Sequence, residues 1–175
     1  MANHGYVSTT SCTCWDVEAF NRCGDYTSGA LDNGVFVTLG KPSNTSNAIT
    51  GYEFPVTLAS GTSKGCWVVN TPEVGSTLEM QMLSDPRTFY NEAGRPMSLK
   101  YLLPKVDCIE VNAEAFASGA LPTTEGYVLI TSNGKLAASA SAAAGDYTYF
   151  SVLGFKDVAV GGDVMKVVVL QCENN

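Results

Sequence analysis

Short apolar runs alternate with turn residues along most of the chain. The runs cover residues 35–39, 52–58, 66–70, 99–103, 106–111, 127–131, 136–139, 147–153 and 164–171. They have the length of strands, are rich in β-branched and aromatic residues, and are separated by Gly, Pro and Asn. The pattern predicts a mainly β, single-domain sandwich or barrel-like fold with one or two short helices and an N-terminal arm.

Two positions add detail to this β pattern. Asn133-Gly134 lies between the runs 127–131 and 136–139, and this dipeptide accepts the positive φ angles of a tight turn. We therefore predict a hairpin there. Pro55 lies inside the run 52–58, and because proline donates no backbone hydrogen bond, it predicts an edge strand.

Two segments carry helix signals. Asp85 is a suitable N-cap, Pro86 suits the first helical position and Gly94 suits a left-handed stop, which predicts a helix over 85–94. A second, shorter helical turn is expected over 112–116, with an asparagine as its cap.

The first thirty residues differ from the rest. They are rich in Ser, Thr, Gly and Asn, and are interrupted by the large apolar residues Trp15, Val17 and Phe20. We predict an N-terminal arm over 1–30 and a β-rich body over 31–175. The three apolar side chains need a covering surface, which is either the body or another protein, because each gains about 1.5 to 3 kcal/mol on burial.

Composition and charge narrow the class of protein. Of the 175 residues, 45% are hydrophobic and 15% charged, and no apolar run is long enough to cross a bilayer. The polar start has no secretory signal, so we expect a soluble globular protein that is not marked for export. The net charge of −7 disfavours binding to nucleic acid.

The six cysteines leave several interpretations open. They are Cys12, Cys14, Cys23, Cys66, Cys108 and Cys172. None of the first three has the paired spacing of structural zinc ligands. Reduced, isolated thiols are the default expectation without an export signal, while a metal site and a disulfide formed after release from the cell remain alternatives.

Catalytic signals are sparse. His4 is the only histidine and lies in a segment expected to fray, which disfavours a Ser or Cys triad. Cys66 lies beside a tryptophan in an apolar run and is expected to be a core thiol. We therefore expect no enzymatic activity and no cofactor.

Carboxylate pairs and glycine-rich segments point the same way. Glu110 with Glu114, or Asp16 with Glu18, are the local candidates for a glycosidase pair, but nothing in their spacing places either pair in one cleft, and solvated surface charge is the favoured explanation. Gly161-Gly162 lacks the spacing of a phosphate-binding loop. Two classes remain: a protein-binding structural module, and a carbohydrate-binding or adhesive β module.

The carbohydrate-binding alternative would need exposed aromatic side chains close together. Trp67, Tyr147 and Tyr149 are the candidates for such a platform, although their strands are equally suited to a core.

An ordered series of motifs resembles a family of tailed-phage capsid decoration, or cement, proteins. The motifs are residues 29–40 (GALDNGVFVTLG), 52–53 (YE), 69–73 (VNTPE), 89–96 (FYNEAGRP), 101–102 (YL) and 107–115 (DCIEVNAEA). The resemblance covers roughly residues 29–116. The cysteine-bearing segment 11–23 and Cys108 depart from the family pattern.

The resemblance implies a structural virion protein that is made in the host cytoplasm and binds the outer surface of a bacteriophage capsid, where it stabilises the mature head. Its implied partner is the major capsid protein, with no catalytic residue, no nucleic acid and no membrane. Whether copies form a homo-oligomer on the capsid is left open. Within this interpretation, Trp15, Val17 and Phe20 are the expected capsid-binding residues of the arm.

Overall fold

The computed structural model describes residues 3–42, 53–72, 85–160 and 162–175. The fold is mainly β, as predicted, with a closed barrel and a six-stranded sheet. The strands are β1 (Val7–Ser8), β2 (Asn21–Asp25), β3 (Phe36–Leu39), β4 (Glu53–Leu58), β5 (Trp67–Val69), β6 (Met97–Tyr101), β7 (Cys108–Val111), β8 (Tyr127–Ile130), β9 (Leu136–Ser139), β10 (Tyr149–Val160) and β11 (Asp163–Asn174). No helix in the described ranges is long and apolar enough to cross a membrane.

The barrel is closed by five short strands in the order β2-β4-β3-β5-β6. Strand β2 joins its two ends, pairing in parallel with β4 and antiparallel with β6. Alternate side chains fill the interior, because successive residues of a strand point to opposite faces. The buried interior residues are Leu31, Val35, Val37, Val56, Val69, Met97 and Leu99.

The six-stranded sheet has the order β1-β7-β11-β10-β8-β9. Strands β10 and β11 form a long antiparallel hairpin, with a register shift between Val152 and Gly154. The predicted hairpin β8–β9 is confirmed. Gly134 has φ +75°, and the Thr131 N–H donates to the carbonyl of Lys135 at 2.7 Å.

A second core lies between the barrel and the sheet. In β3, Val37 points into the barrel while Phe36 points to the sheet, where its ring lies 5.1 Å from that of Phe150. In β5, Val68 faces the sheet and Val69 faces the barrel. Strands β3 and β5 are thus buried on both faces, and the two cores share a wall.

Asn175 adds a polar tie between the barrel and the sheet. Its amide oxygen accepts the Cys66 N–H at 2.7 Å and the Thr148 hydroxyl at 3.0 Å, and its amide nitrogen donates to the carbonyls of Cys66 and Leu102 at 3.0 Å each. One side chain therefore bridges the strand ends on both sides of the shared core.

The predicted boundary between an arm (1–30) and a body (31–175) does not correspond to a structural division. Strand β1 pairs with β7, and β2 closes the barrel. The residues between them include Cys14, which is fully buried in the shared core. The polar composition of the segment concealed this, because only a few of the apolar side chains described in it, those of Val7, Cys12 and Cys14, are buried against the rest of the fold.

The predicted helix over 85–94 is reduced to one 3-10 turn, Pro86–Thr88. Asp85 caps it as expected, since its carboxylate accepts the Arg87 N–H. The chain then becomes extended, and Asn91 and Leu31 exchange two backbone hydrogen bonds, of 2.7 and 2.9 Å. This long-range pairing outcompetes the local helix signal, and Gly94, at φ +69°, serves a turn and not a helix end.

Two smaller predictions have different outcomes. The turn predicted over 112–116 is present as the 3-10 turn Ala113–Ala115. The edge position of Pro55 is wrong, because β4 lies between β2 and β3. The Pro55 carbonyl still accepts the Gly40 N–H, just after β3, at 2.8 Å. The proline therefore bonds to the chain beside it through its carbonyl, since it has no backbone N–H to donate.

Candidate functional site

Two consecutive 3-10 turns, Thr13–Trp15 and Glu18–Phe20, project from the start of β2. They leave the side chain of Trp15 61% exposed and that of Val17 37% exposed. The Asn21 amide donates to the carbonyls of Cys14 and Val17, both at 2.8 Å. This amide fixes both turns to the strand that follows them.

Buried polar groups fasten the same turns to the sheet. The carboxylate of Asp107, a buried residue, accepts the Thr13 N–H at 2.6 Å and the Leu103 N–H at 2.7 Å. The Cys12 thiol donates to the carbonyl of Cys108 at 3.0 Å. The exposed side chains are therefore presented on a backbone that is already ordered.

An aromatic row continues from the second turn across the barrel. The ring of Phe20 stacks on that of Tyr101, with centroids 6.0 Å apart, and Tyr101 lies 5.3 Å from Trp67. The guanidinium of Arg22 lies 5.9 Å from the centre of the Trp67 ring, a cation–π contact. Burial raises the pKa of the Tyr101 phenol, which favours its protonated form.

The strand register explains how this row forms. Trp67 is paired with Tyr101, and Val69, two residues further along β5, is paired with Leu99. Since alternate residues share a face, Trp67 and Tyr101 point to the barrel side, at the end of the barrel beyond its buried interior. Arg22 is paired with Leu99 from the other neighbouring strand and reaches the same end.

We call this set the aromatic surface. It consists of Trp15, Val17, Phe20, Arg22, Trp67 and Tyr101. Trp, Tyr and Arg are enriched at the energetic centres of protein interfaces, because they combine a large apolar area with a hydrogen-bonding or charged group. The arrangement is therefore suited to binding a protein surface.

The structure brings the three sequence-predicted binding residues into this surface in different roles. Trp15 and Val17 are exposed, whereas Phe20 is half-buried and packs on Tyr101 and the shared core. The sequence reasoning missed Arg22 and Tyr101, because their part depends on which strands pair across the barrel. The apolar run around Trp67 did indicate a strand, although not its neighbours.

The catalytic candidates are placed in structural contacts. His4 does not lie in a frayed tail. Its ring nitrogen Nδ1 is 2.8 Å from the Asp32 carboxylate, and its backbone N–H donates to the Arg87 carbonyl at 2.7 Å. The Glu110 carboxylate pairs with Lys156. Within the described ranges, no group of three or more His, Cys, Asp or Glu side chains is arranged to hold a metal ion.

The carboxylates of the remaining candidates form no ion pair in the described ranges. Asp16 and Glu18 are exposed on the two 3-10 turns, and Glu114 is half-exposed in the turn Ala113–Ala115.

The six cysteines are free thiols. Burial raises the pKa of Cys66, and it raises that of Cys172 to about 12. The hydrogen bond between the neighbouring thiols of Cys12 and Cys14 raises the pKa of Cys12 and lowers that of Cys14.

The aromatic residues considered for a sugar platform have separate ring partners. Trp67 contacts Tyr101, and Tyr149 contacts Tyr127 edge-on at 6.0 Å. Tyr147 faces the ammonium of Lys64 at 5.7 Å. Over the described ranges, no ring contact joins Trp67 to either tyrosine.

Comparisons with known protein families, with curated proteins and with solved structures found no match.

Proposed function

We propose that this chain is a structural virion protein that binds the outer surface of a bacteriophage capsid through its aromatic surface and stabilises the mature head. The observation that carries the proposal is the exposed Trp15 on a turn that Asn21 fixes to the start of β2, the strand whose Arg22 joins the row of Phe20, Tyr101 and Trp67. The motif series that resembles decoration proteins supports the choice of partner.

The fixed turns favour binding energetically. Burying a fully exposed apolar side chain gains about 1.5 to 3 kcal/mol, and the 61% of Trp15 and 37% of Val17 that remain exposed would gain the corresponding part against a partner. A flexible arm would lose about 1 to 2 kcal/mol of this per residue that becomes ordered. Because Asn21 and Asp107 hold the turns in place beforehand, most of that cost is met during folding.

Head stabilisation follows from linkage. A protein that binds the assembled shell but not its separated subunits stabilises the shell by RT ln(1 + [L]/Kd), which is about 2.7 kcal/mol per site at a hundredfold excess over Kd. Many copies on one shell multiply the effect. The net charge of −7 also favours an exterior position, away from the packaged DNA.

Binding to capsids that lack decoration tests the proposal. The wild-type chain should co-sediment with such capsids at a saturating copy number and raise the temperature at which they release DNA. Trp15→Ala should weaken binding by about 2 kcal/mol, roughly 30-fold, as is typical of a central interface residue. The matched control is Tyr127→Ala, which removes a partly exposed aromatic ring on β8 of the other sheet.

Two results would overturn the proposal. If the wild-type chain does not bind undecorated capsids of the phage that encodes it, the proposed function is wrong. If Trp15→Ala binds as well as wild type, the aromatic surface is not the contact. Saturable binding to a glycan array without capsid binding would favour the carbohydrate-binding alternative.

A further inference from the structure

The outer half of the β10–β11 hairpin carries apolar side chains that the described structure covers only in part. Leu153 is 52% exposed, Phe155 49% and Val164 60%. They are three of the eight large apolar side chains that are exposed in the described ranges. Strand β10 pairs with β8 only as far as Ser151, so its outer half projects beyond the rest of the sheet.

The strand register shows which of the side chains beyond the register shift at Val152 and Gly154 share a face. Phe155 is paired with Val168, Asp157 with Lys166, and Ala159 with Val164. Paired residues point to the same side, and so do alternate residues along a strand. Phe155, Asp157, Val164 and Lys166 therefore share one face, which we call the tip face.

The opposite face of the same hairpin is covered. Val160, Met165 and Val167 are buried there, in a small cluster with Val158 and Tyr6. The hairpin is thus held in place from one side and presents its tip face on the other.

The tip face forms one wall of an open groove. A groove of about 590 Å³ is lined by Leu121, Pro122, Thr123, Phe155, Asp157 and Lys166, together with the neighbouring Lys156. A second groove of about 380 Å³ shares Leu121 and Lys166 with the first and extends to Val164. The apolar side chains and the charges of the tip face are therefore presented together.

The charges on the tip face are of opposite sign and are available. Asp157 and Lys166 are exposed cross-strand neighbours, but they form no ion pair with each other or with another group in the described ranges. Lys156, on the other face, is by contrast engaged with Glu110. The tip face is apolar at Phe155 and Val164, and its two charges sum to zero.

We propose that the tip face binds the tip face of a second copy of this chain, forming a twofold-symmetric dimer. In a twofold-symmetric contact both copies use the same surface, so every contact between two residues occurs twice, once in each direction. Asp157 of each copy then faces Lys166 of the other, while the apolar side chains are removed from water. This inference does not depend on the proposed capsid binding.

The overall charge favours this surface for self-association. Two copies with a net charge of −7 each repel one another at most approaches. A neutral patch with one positive and one negative group avoids local repulsion and gains two charge pairs on contact. A different partner would not need the two opposite charges to lie as neighbours on the same face.

Sedimentation velocity on the full chain tests the dimer, over about 1 μM to about 500 μM, where an interface of modest size dissociates. We expect a reversible monomer–dimer equilibrium. Asp157→Lys and Lys166→Asp should each weaken dimerisation at least tenfold, because each places like charges against each other in both halves of the contact.

Mixing the two variants is the decisive measurement. In a mixed dimer both contacts again join opposite charges, so a 1:1 mixture should dimerise about as well as wild type, while each variant alone does not. An effect within one chain cannot produce this rescue. Asp146→Lys, which makes the same change in net charge as Asp157→Lys at an exposed site on the loop before β10, is the control for that variant and should leave dimerisation unchanged.

Phe155→Ser examines the apolar part and should also weaken dimerisation at least tenfold, with circular dichroism used to show that the chain remains folded. Wild-type chain that is monomeric throughout the concentration range would overturn the proposal. So would a dimer that none of these variants weakens, or a mixture of the two charge variants that remains monomeric.

Discussion

Strand β3 and the outer half of β10 are both rich in large apolar side chains, yet they differ in how the fold covers them. In β3, Phe36 and Val37 point to opposite sides and both are buried, one in the shared core and one in the barrel. In the outer half of β10, Val160 is buried while Phe155, on the opposite face, is half-exposed. Both strands therefore have two apolar faces, but only β3 has two cores to fill.

The difference shows that burial on the second face depends on the neighbouring layer and not on the strand itself. Phe36 is covered because the sheet lies against the outer wall of the barrel. The β10–β11 hairpin extends past that layer, and its tip face meets only the loop that carries Leu121. Apolar content is a sound guide to strands, but it leaves open whether a face meets its own chain or a partner.

Removing residues 1–24 is expected to have the largest effect on stability, because it removes strands that both cores need. The sequence-based division into an arm and a body predicts that the body from Asn33 onward folds without this segment. The structure leads us to the opposite expectation, because the deletion removes β1, most of β2 and the Thr13 contact to Asp107. The truncated chain should show no cooperative thermal transition by circular dichroism. A melting curve equal to that of the full chain would mean that the segment is dispensable for both cores.

Truncating the two phenylalanines compares the two strands directly. Phe36→Ala should destabilise the protein by about 3 to 5 kcal/mol, the usual cost of deleting a buried aromatic ring. Phe155→Ala, its matched control, should cost less than about 1 kcal/mol, since much of that ring already meets water. Urea denaturation at a protein concentration of a few micromolar, as a rough guide, measures both without contribution from self-association. Equal costs would mean that the tip face is covered within the monomer.

Two glycines separate the effect of a crowded wall from that of backbone strain. Gly134 and Gly94 have similar φ angles, +75° and +69°. A Cβ at Gly134 would lie 2.4 Å from the carbonyl oxygen of Phe36, whereas one at Gly94 would meet nothing within 4 Å. Gly94→Ala should therefore cost about 1 kcal/mol, and Gly134→Ala about 2 to 4 kcal/mol. Equal shifts in melting temperature would show that the β8–β9 turn is not packed against β3.

Thiol reactivity gives the finest measure of how well the shared core is closed. A thiol reacts as its thiolate, so a raised pKa keeps it protonated and slows alkylation at pH 8. Cys172, whose pKa is raised by burial to about 12, and Cys66, whose pKa is raised for the same reason, should react slowly with iodoacetamide. Half-exposed Cys23 should react sooner, and all six should react in guanidinium. Alkylation rates measured by peptide mass spectrometry at pH 7 to 9 should increase with pH. Equal alkylation rates for Cys172 and Cys23 in the folded protein would mean that the shared core opens readily.

The sequence was sufficient for the strands and the β8–β9 turn, because both depend on signals within a few residues. It was insufficient wherever a distant partner decides the outcome. The helix expected from Asp85 became a single turn because Asn91 pairs with Leu31, and Pro55 is central because β2 joins the barrel beside it. The aromatic surface was partly predictable in the same sense: Trp15 and Val17 are recognisable as apolar residues in a polar segment, whereas Arg22 and Tyr101 required the barrel register.

The pairing of β1 with β7 also has a consequence for biosynthesis. Val7 is aligned with Val111, and β7 in turn pairs with β11, which ends at Asn174. As the chain leaves the ribosome from its N-terminus, β1 therefore has no partner until residues 108–111 have been synthesised. Strand β7 in turn lacks its other neighbour until β11 has emerged. Closing such long loops slows folding, since the entropy of closure is lost before the contacts are gained. We therefore expect refolding in the millisecond-to-second range typical of nonlocal β folds, with the nascent chain kept open until β11 has emerged.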